Sequence, residues 1–391
     1  MSLVFKELGE LVDFKGGGTP SRNVEEYWDN SIPWATVKDL NEGITLTQTQ
    51  EFISELGLKN SASNLITKGT IIIPTRMALG KVVISEIDVA INQDLKAVSV
   101  KDKEKLDVKY LLRFLESYKE NIASMGKGAT VKGITLDQLK AIKVPLPPLA
   151  AQRRIASILD QADELRQKRQ QAIEKLDQLL QATFIEMFGD PVSNPKGWEA
   201  KPIDNICANI VDCVNKTAPI VEYETPYKMI RTTNVRNHKV DISSVRYVEK
   251  ETFDKWNRRL TPKRGDVILT REAPVGEVGI LESDDSVFLG QRLMLYRVNL
   301  ELTTPEYLLY FLMSDNLKMQ YEQMSSGSTV KHLSVPQCSK WSIYLPPLEL
   351  QLKFSEFYKM IHANLELMRI SYNKADTLFK SLQNQAFSGT L

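Results

Sequence analysis

Cysteine and histidine are scarce in this 391-residue chain, which contains three of each. The cysteines, Cys207, Cys213 and Cys338, lack metal-ligand spacing, and the histidines lie far apart, so no structural metal is expected. An apolar run of about 20 residues and a charged-then-apolar leader are also missing. We therefore expect a protein that acts in the cytoplasm and neither enters a membrane nor holds a metal.

The chain also has almost no net charge, because its 50 basic and 49 acidic residues give a formal charge of +1. Bulk charge therefore does not indicate a nucleic-acid-binding protein, and any DNA-binding face has to be local. The proportions of hydrophobic and charged residues are typical of a globular chain. The chain is longer than a domain with a single hydrophobic core usually is, which predicts two or three domains.

Patterns that indicate catalysis are absent as well. The chain has no Asn-Pro-Pro-Tyr or Asp-Pro-Pro-Tyr element of a DNA methyltransferase, no ATP-binding loop and no clustered metal ligands. Gly16, Gly17 and Gly18 are not followed by Lys-Ser or Lys-Thr in the register of a P-loop, so we predict a flexible loop there. The sequence therefore predicts a chain that is not an enzyme by itself and binds no cofactor.

What the sequence does contain is an internal repeat that spans nearly the whole chain. Gly-Ala-Thr-Val-Lys at 128–132 returns as Gly-Ser-Thr-Val-Lys at 327–331, and the same offset relates two Leu-Pro-Pro-Leu motifs. Upstream the offset drifts by a few residues, as loops of different length would make it. The chain is therefore two copies of one unit.

Each copy has two parts. The first parts, 1–145 and 191–344, mix short β-rich runs such as 69–74 with turns and one amphipathic helix, which is typical of a compact α/β (α+β) domain. The second parts, 146–190 and 345–391, begin at Leu-Pro-Pro-Leu, where proline pre-sets the first turn of a helix. We predict two similar domains, each followed by a long helix.

Apolar residues recur at heptad spacing in both helical parts, which predicts coiled-coil seams. Because an isolated helix cannot bury such a stripe, we expect the two helices to pair, and the connectivity makes them antiparallel. This places the domains at opposite ends, about a two-fold axis, and makes the helix from Gln152 to Met187 about 54 Å long at ~1.5 Å per residue. The predicted rows are Ile155, Ala162 and Leu176 with Ile158, Leu165, Ala172 and Leu179, then Phe354, Ile361, Met368, Ala375 and Leu382 with Phe357 or Tyr358, Leu365, Tyr372 and Phe379.

Two similar domains on a stiff spacer suit a DNA target with two half-sites, because major-groove elements on one face recur about every 34 to 36 Å. The same architecture also fits a protein-binding scaffold without sequence-specific DNA recognition. Both functions stay open on these grounds.

The chain resembles, over its full length, the DNA specificity subunit of type I restriction-modification enzymes. The resemblance rests on two target-recognition domains, each followed by a Pro-Pro-Leu turn, a glutamine at Gln152 or Gln351, and a long helix. The helix endings at 184–191 and 385–391 are also similar to those of the family. The resemblance implies a bipartite target in double-stranded DNA, with one half read by each domain and the spacer set by the helices.

The same resemblance implies the partners. Two methyltransferase subunits would dock near the helices, and two motor-nuclease subunits would join for restriction. The partners would methylate adenine at N6 and would carry S-adenosylmethionine, ATP and magnesium, none of which this chain would bind.

Candidate DNA contacts are hydrogen-bond donors at strand ends and in glycine-containing loops. At Lys38 and 231–234, DNA contact and ordinary turn chemistry remain equally open. Arg76 and Arg271 follow short buried strands, which would aim them out of their domains. Loops that combine glycine, hydroxyl and lysine suit phosphate. The predicted contacts are Lys38, Arg76, Lys127, Thr130, Lys132, Arg231, Thr232, Thr233, Asn234, Arg271, Ser328, Thr329, Lys331 and His332.

Two further features are interpreted as structural. The repeated Gln-x-Leu element at Gln93 and Gln291 is expected to hold a turn through its amide. Trp34, Trp256 and Trp341 are assigned to the core rather than to base stacking.

Overall fold

The computed structural model describes residues 4–40, 43–127, 133–323 and 332–391. The chain divides into two compact units, one of Met1–Gln170 with Ile370–Leu391 and the other of Gln171–Arg369. Each unit contains one α/β domain and part of each of two long helices. No helix in the described part of the chain is long and apolar enough to cross a membrane.

The first domain is built from short strands, because runs of β-branched residues alternate with glycine, proline and polar turns. In chain order its elements are β1 (Phe5–Glu7), α1 (Leu8–Leu11), β2 (Val12–Gly16), β3 (Ile32–Ala35), β4 (Thr45–Leu46), β5 (Glu51–Ile53), α2 (Glu55–Lys59), β6 (Asn64–Ile66), β7 (Ile71–Pro74), β8 (Val83–Ser85), β9 (Val89–Ile91), β10 (Leu95–Val100), α3 (Val108–Ser117), α4 (Lys119–Met125), α5 (Leu136–Lys140) and β11 (Lys143–Pro145), with 3-10 turns at Glu25–Tyr27 and Val37–Leu40.

The sheets of this domain place β7 at the centre. Their strand orders are β2-β10-β7-β8-β4, β5-β3-β9-β6 and β1-β11. Ile71 and Ile73 of β7 pack with Tyr110 and Phe114 of α3 in the main core. The expected α/β domain is confirmed in this first copy.

The second domain follows the long helix α6 (Leu149–Phe188) and precedes the long helix α11. Its elements are β12 (Glu199–Pro202), β13 (Cys207–Asp212), β14 (Lys228–Ile230), β15 (Val235–Arg236), β16 (His238–Val240), β17 (Arg246–Tyr247), α7 (Lys250–Trp256), β18 (Val267–Thr270), β19 (Val278–Ile280), β20 (Val287–Leu289), β21 (Leu293–Val298), α8 (Pro305–Leu312), α9 (Asp315–Gln323), α10 (Val335–Cys338), β22 (Ser342–Leu345) and then α11 (Leu348–Ser388), with 3-10 turns at Ile203–Asn205 and Thr232–Asn234.

The second domain repeats the topology of the first. Its strand orders are β13-β21-β18-β19-β16-β15, β17-β14-β20 and β12-β22. β18 lies between β21 and β19 as β7 lies between β10 and β8, and β14 pairs in parallel with β20 as β3 does with β9. α3 and α8 also begin alike, because the side chains of Asp107 and Thr304 accept from the N–H three residues later, at 3.0 and 3.3 Å.

Within each unit, α6 and α11 run antiparallel. In the first unit Arg166 Nη1 donates to Asp376 Oδ1 at 3.2 Å, and Arg169 Nη1 donates to the carbonyl of Ser371 at 3.1 Å. Residue numbers therefore rise along α6 as they fall along α11. The second unit shows the same direction in two pairs, Asp177 with Arg369 and Phe184 with Phe354.

Ile155 is buried as predicted, but from Leu159 onward the seam of α6 lies one residue later than predicted. Leu165 and Leu179 are exposed, whereas Arg166 bonds across to α11 and Leu180 is buried. The shift arises because the seam includes polar residues: Asp163 is buried and accepts from Arg166 Nη2 at 2.7 Å. In α11 Met368 is exposed, but the predicted burial is confirmed for Phe354, Tyr358, Ile361, Leu365, Ala375 and Phe379.

A fully buried glutamine ties each long helix to the domain of its own unit. Gln152 Nε2 donates to the carbonyls of Lys105 and Pro147 at 2.8 and 2.9 Å, and Gln152 Oε1 accepts from the N–H of Asp107 at 2.9 Å. Gln351 makes the equivalent three bonds with Leu302, Thr304 and Pro346, and its Oε1 also accepts from the hydroxyl of Thr303 at 2.7 Å. The glutamine therefore fixes the start of the helix against the loop that precedes α3 or α8.

Replacing Gln152 tests this joint. Gln152→Leu keeps most of the volume but leaves the N–H of Asp107 and two carbonyls without a partner. We expect the free energy of unfolding to fall by about 2–4 kcal/mol, because each unpaired buried group costs about 1–3 kcal/mol. Urea denaturation measures the change. Gln161→Leu, on an exposed position of the same helix, should change it by less than about 0.5 kcal/mol; equal effects would contradict the assignment.

Candidate nucleic-acid interface

Three neighbouring strands of the first domain meet at one end of the larger sheet. β2 ends opposite the start of β10, and β7 ends there as well, because Pro74 pairs with Leu95. The chain after β7 continues along this end, where Arg76 bridges to Gly133. Gly133 in turn exchanges two backbone hydrogen bonds of 2.9 Å with Lys127. The fold thus brings Arg76 and Lys127 together.

Polar side chains gather at the same end of the sheet. Arg76 is exposed and its Nη1 lies 3.9 Å from Asp94 Oδ1. Thr19 Oγ1 donates to Gln93 Oε1 at 2.5 Å, and Lys96 Nζ donates to the carbonyl of Gln93 at 3.3 Å. We call this surface the first edge; it comprises Thr19, Arg76, Gln93, Asp94, Lys96 and Lys127.

The loop that carries Thr19 is packed, so the predicted flexible loop is wrong. A Cβ on Gly17 would lie 2.0 Å from the carbonyl oxygen of Ile91, so only glycine permits this close approach. Trp34 Nε1 donates to the carbonyl of Gly18 at 3.1 Å from inside the core. The expected core position of Trp34 is confirmed.

Lys38 is exposed on the 3-10 turn that follows β3. Nearby, Arg22 donates two hydrogen bonds to the carboxylate of Glu51, at 2.7 and 2.8 Å, and its guanidinium lies 3.6 Å from the ring centre of Trp28. The hydrogen bonds from Arg22 hold the pKa of Glu51 below its ordinary value, and the charge of Lys38 lowers it further. Arg22 and Lys38 therefore both place positive charge near Glu51.

The second domain has an equivalent surface. β18 ends opposite the start of β21, and the N–H of Leu333 donates to the carbonyl of Arg271 at 3.0 Å, which brings the 332–333 segment alongside. Arg292 Nε lies 3.0 Å from Glu272 Oε2, and His332 Nδ1 contacts the same carboxylate. We call this surface the second edge; it comprises Glu272, Gln291, Arg292 and His332.

Arg271 itself does not point out of the domain, so that prediction is wrong. Its exposed fraction is 8%, Nη1 donates to the carbonyl of Leu333 at 3.1 Å, and Nη2 lies 4.0 Å from Cys213 Sγ. A guanidinium used in this way holds the second edge together rather than contacting a ligand.

The backbone pairing shows why Arg271 differs from Arg76. The N–H of Thr75 donates to the carbonyl of Asp94 at 2.7 Å. The N–H of Arg271 donates in the same way to the carbonyl of Arg292 at 2.8 Å. Arg271 is therefore the counterpart of Thr75, and Arg76 lies one residue further from the end of its strand. The equivalent residues are Thr75 and Arg271, Arg76 and Glu272, and Asp94 and Arg292.

The side chain of Asn234 stabilises the turn after β14 and does not point out of the domain. Its exposed fraction is 2%; Oδ1 accepts from the N–H of Arg231 at 2.9 Å and Nδ2 donates to the carbonyl of Ser244 at 2.8 Å. Turn chemistry is therefore the better interpretation for this residue. Thr233 is exposed and Thr232 is partly exposed. Arg231 is half-buried, with no hydrogen-bond partner for Nε in the described chain.

Five of the predicted contacts fall outside the described residues. These are Thr130, Lys132, Ser328, Thr329 and Lys331. Lys127 and His332, which are exposed, border the two segments that contain them.

The family model of the type I restriction modification DNA specificity domain matches residues 3–175 and 195–375. The chain belongs to this family. It is 25% identical over 403 aligned residues to the type I restriction enzyme MjaIX specificity subunit of Methanocaldococcus jannaschii, covering 93% of this chain and 88% of that protein. It is 38% identical over 169 residues to the Escherichia coli EcoR124I/EcoR124II specificity subunit, covering 41% of each.

Solved structures of the same kind share the fold. The type I restriction-modification S subunit from M. genitalium matches with a TM-score of 0.63 at 15% identity, covering 99% of this chain and 96% of that one. A chain from a study of complex assembly and conformational transition of the type I R-M system matches with a TM-score of 0.53 at 17% identity, covering 100% and 98%. The resemblance noted in the sequence is confirmed, as is the fold of two similar domains with long helices.

This specificity subunit shows no metal centre in the part of the chain that is described, where no three His, Cys, Asp or Glu side chains are placed to hold an ion. Burial raises the pKa of the Cys207 and Cys338 thiols to about 12, so both stay protonated at neutral pH.

Arg22 and Arg292 of this specificity subunit were not among the DNA contacts predicted from the sequence. Arg292 directly follows the glutamine of the repeated Gln-x-Leu element, which was the one available signal. Neither its pairing with Glu272 nor the pairing of Arg22 with Glu51 is visible without strand register, since the partners lie 20 or more residues apart.

Asn234→Ala tests the turn assignment. The substitution leaves the N–H of Arg231 and the carbonyl of Ser244 unpaired, so we expect the free energy of unfolding to fall by about 1–3 kcal/mol. The DNA sequence preference of the folded protein should stay the same. Urea denaturation and the methylated sequence motif are the two measurements. Thr233→Ala, one residue earlier and exposed, is the matched control for stability. A changed base preference with unchanged stability would show that Asn234 contacts DNA.

Proposed function

We propose that this specificity subunit reads a bipartite target in double-stranded DNA, one half with each domain, for methyltransferase and motor-nuclease partners. The proposal rests on one observation: the first and second edges occupy the same place on equivalent sheets but present different side chains. One frame with different donors is what reading two different half-sites requires. Lys127 and His332 of these edges, together with Lys38 outside them, would add backbone or base contacts.

The chain is a specificity subunit, and catalysis belongs to partner subunits. We assign S-adenosylmethionine, ATP and magnesium to those partners and none to this chain. Two methyltransferase and two motor-nuclease subunits complete the proposed complex, which would act on DNA in the cytoplasm.

Docking of methyltransferase subunits on the long helices is supported by large apolar side chains that are exposed there. In the described chain they include Leu165, Leu179 and Ile185 of α6, and Leu352, Met360, Leu367, Ile370 and Leu378 of α11. A scaffold without DNA specificity would use the same surface, so DNA readout has to be tested separately.

We divide the chain into recognition domains at 1–145 and 191–344 and spacer helices at 146–190 and 345–391. This division is supported by the start of α6 and α11 at the Leu-Pro-Pro-Leu motifs.

The function is tested by co-expression with a type I methyltransferase subunit that forms a complex with this chain, followed by sequencing of N6-methyladenine in the host DNA. We expect a bipartite motif that is present with the chain and absent when the chain is deleted. A catalytically inactive methyltransferase is the control. Failure to form a complex, or methylation that is indifferent to this chain, would contradict the proposal and favour the scaffold.

Shortening both helices tests the role of the spacer. Residues 168–174 and 368–374 contain the bonded pair Arg169 and Ser371, so removing both segments deletes partners together. One heptad corresponds to about 10 Å of helix at ~1.5 Å per residue, or about three base pairs at ~3.4 Å each. We expect a motif with the same half-sites and a spacer shorter by about that amount. Insertion of a heptad in each helix should lengthen it, and an unchanged spacer in both variants would refute the role.

A further inference from the structure

The two edges carry the same ion pair with its charges exchanged. In the first domain Arg76 Nη1 lies 3.9 Å from Asp94 Oδ1. In the second domain Arg292 Nε lies 3.0 Å from Glu272 Oε2. Since Arg76 is the counterpart of Glu272 and Asp94 the counterpart of Arg292, each domain has one guanidinium and one carboxylate at this place, supplied from opposite positions.

In both pairs the guanidinium is the more exposed partner. The side chains of Arg76 and Arg292 are 67% and 53% exposed, whereas those of Asp94 and Glu272 are 14% and 27% exposed. An ion pair at the surface contributes little to stability, so folding alone does not account for its presence on both edges. A carboxylate beneath an exposed guanidinium does, however, orient it towards a ligand.

The backbone of Arg292 points to the same role. Its φ is +70°, in the left-handed region that residues other than glycine rarely adopt. Such a conformation persists where the surroundings fix it, and it is found preferentially at functional sites. Here the N–H of Arg292 donates to Cys213 Sγ at 3.1 Å, and its carbonyl accepts from the N–H of the buried Arg271 at 2.8 Å. Hydrogen bonds to its N–H and to its carbonyl therefore fix the backbone conformation of Arg292.

We propose that Arg292 determines the specificity of the second domain and that Arg76 is its counterpart in the first, each reading a guanine through the major groove. A guanidinium donates two hydrogen bonds to O6 and N7 of guanine, the commonest specific contact with that base. The ion pair of Arg292 runs through Nε, and among the described residues Nη1 and Nη2 have no hydrogen-bond partner, so both can serve this purpose. The inference rests on the proposed function and assigns its base-reading residues.

The test uses the complex with the methyltransferase subunit and the variant Arg292→Lys, which keeps the charge but loses the paired donors. Methylation rates are measured on duplexes that carry each of the four base pairs at every position of the motif. We expect the preference for guanine to fall by roughly 5- to 100-fold at one position of the second domain's half-site. The other half-site and the spacer should stay the same. Arg76→Lys should do the same in the first domain's half-site.

Arg264→Lys is the matched control. Arg264 is 60% exposed and pairs with Asp284 at 2.9 Å, so it resembles Arg292 in exposure and partner. It precedes β18, whereas Glu272 follows that strand, so it lies at the other end from the second edge. This variant should leave both half-sites unchanged.

A double variant separates loss of the guanidinium from damage to the fold. Glu272→Arg with Arg292→Asp gives the second domain the arrangement found in the first, and aspartate tolerates a positive φ better than most residues. We expect a melting temperature close to that of the original chain and a restored preference for guanine at the affected position. A folded double variant without that preference would overturn the inference.

Two further outcomes would also overturn it while leaving the proposed function intact. One is an unchanged motif with Arg292→Lys and Arg76→Lys. The other is a uniform loss of activity on all duplexes without a change of base preference, which would identify phosphate contacts. A motif that does not depend on this chain at all would instead refute the proposed function itself.

Discussion

Each long helix depends on a buried glutamine amide that satisfies backbone groups from the domain beside it. Gln152 and Gln351 both follow a Pro-Pro pair, which lacks N–H donors, and both bond a carbonyl of that pair as well as the loop before the next helix. An apolar residue of the same size would leave these groups unpaired. The direction in which each domain continues into its helix is therefore set by the same few hydrogen bonds in both copies.

Around this common joint the two copies have diverged in chemistry. In the first unit Arg113 is buried and bonds to Asp160, Glu116 and Asp163 at 2.8 to 2.9 Å. In the second unit the residue at that position is Tyr310, whose ring lies 5.5 Å from that of Phe184 and 5.3 Å from that of Phe354. The contact between this position and the long helices is therefore ionic in the first unit and aromatic in the second. The frame thus accepts different side chains at equivalent places, as the two edges also show.

The repeat, the α/β domains, the long helices and most of the α11 seam could be predicted from the sequence, because heptad spacing and paired motifs are local signals. The α6 seam was predicted one residue too early because Asp163 and Arg166 lie inside it, and a pattern of hydrophobic residues cannot identify charged residues in a seam. Arg271 was misplaced because it directly follows β18, whereas Arg76 lies two residues past β7, and successive residues of an extended chain point to opposite sides. Arg22 and Arg292 depend on distant partners, and only the register of the strands brings these together.

If the proposed function holds, each domain reads one half of the target on its own. Exchange of residues 1–145 for the equivalent domain of another specificity subunit tests this most directly, with the methylated motif of host DNA as the measurement. We expect a hybrid motif in which the first domain's half-site changes while the other half-site and the spacer stay the same. A folded hybrid whose two half-sites both change, or whose motif does not change at all, would contradict it.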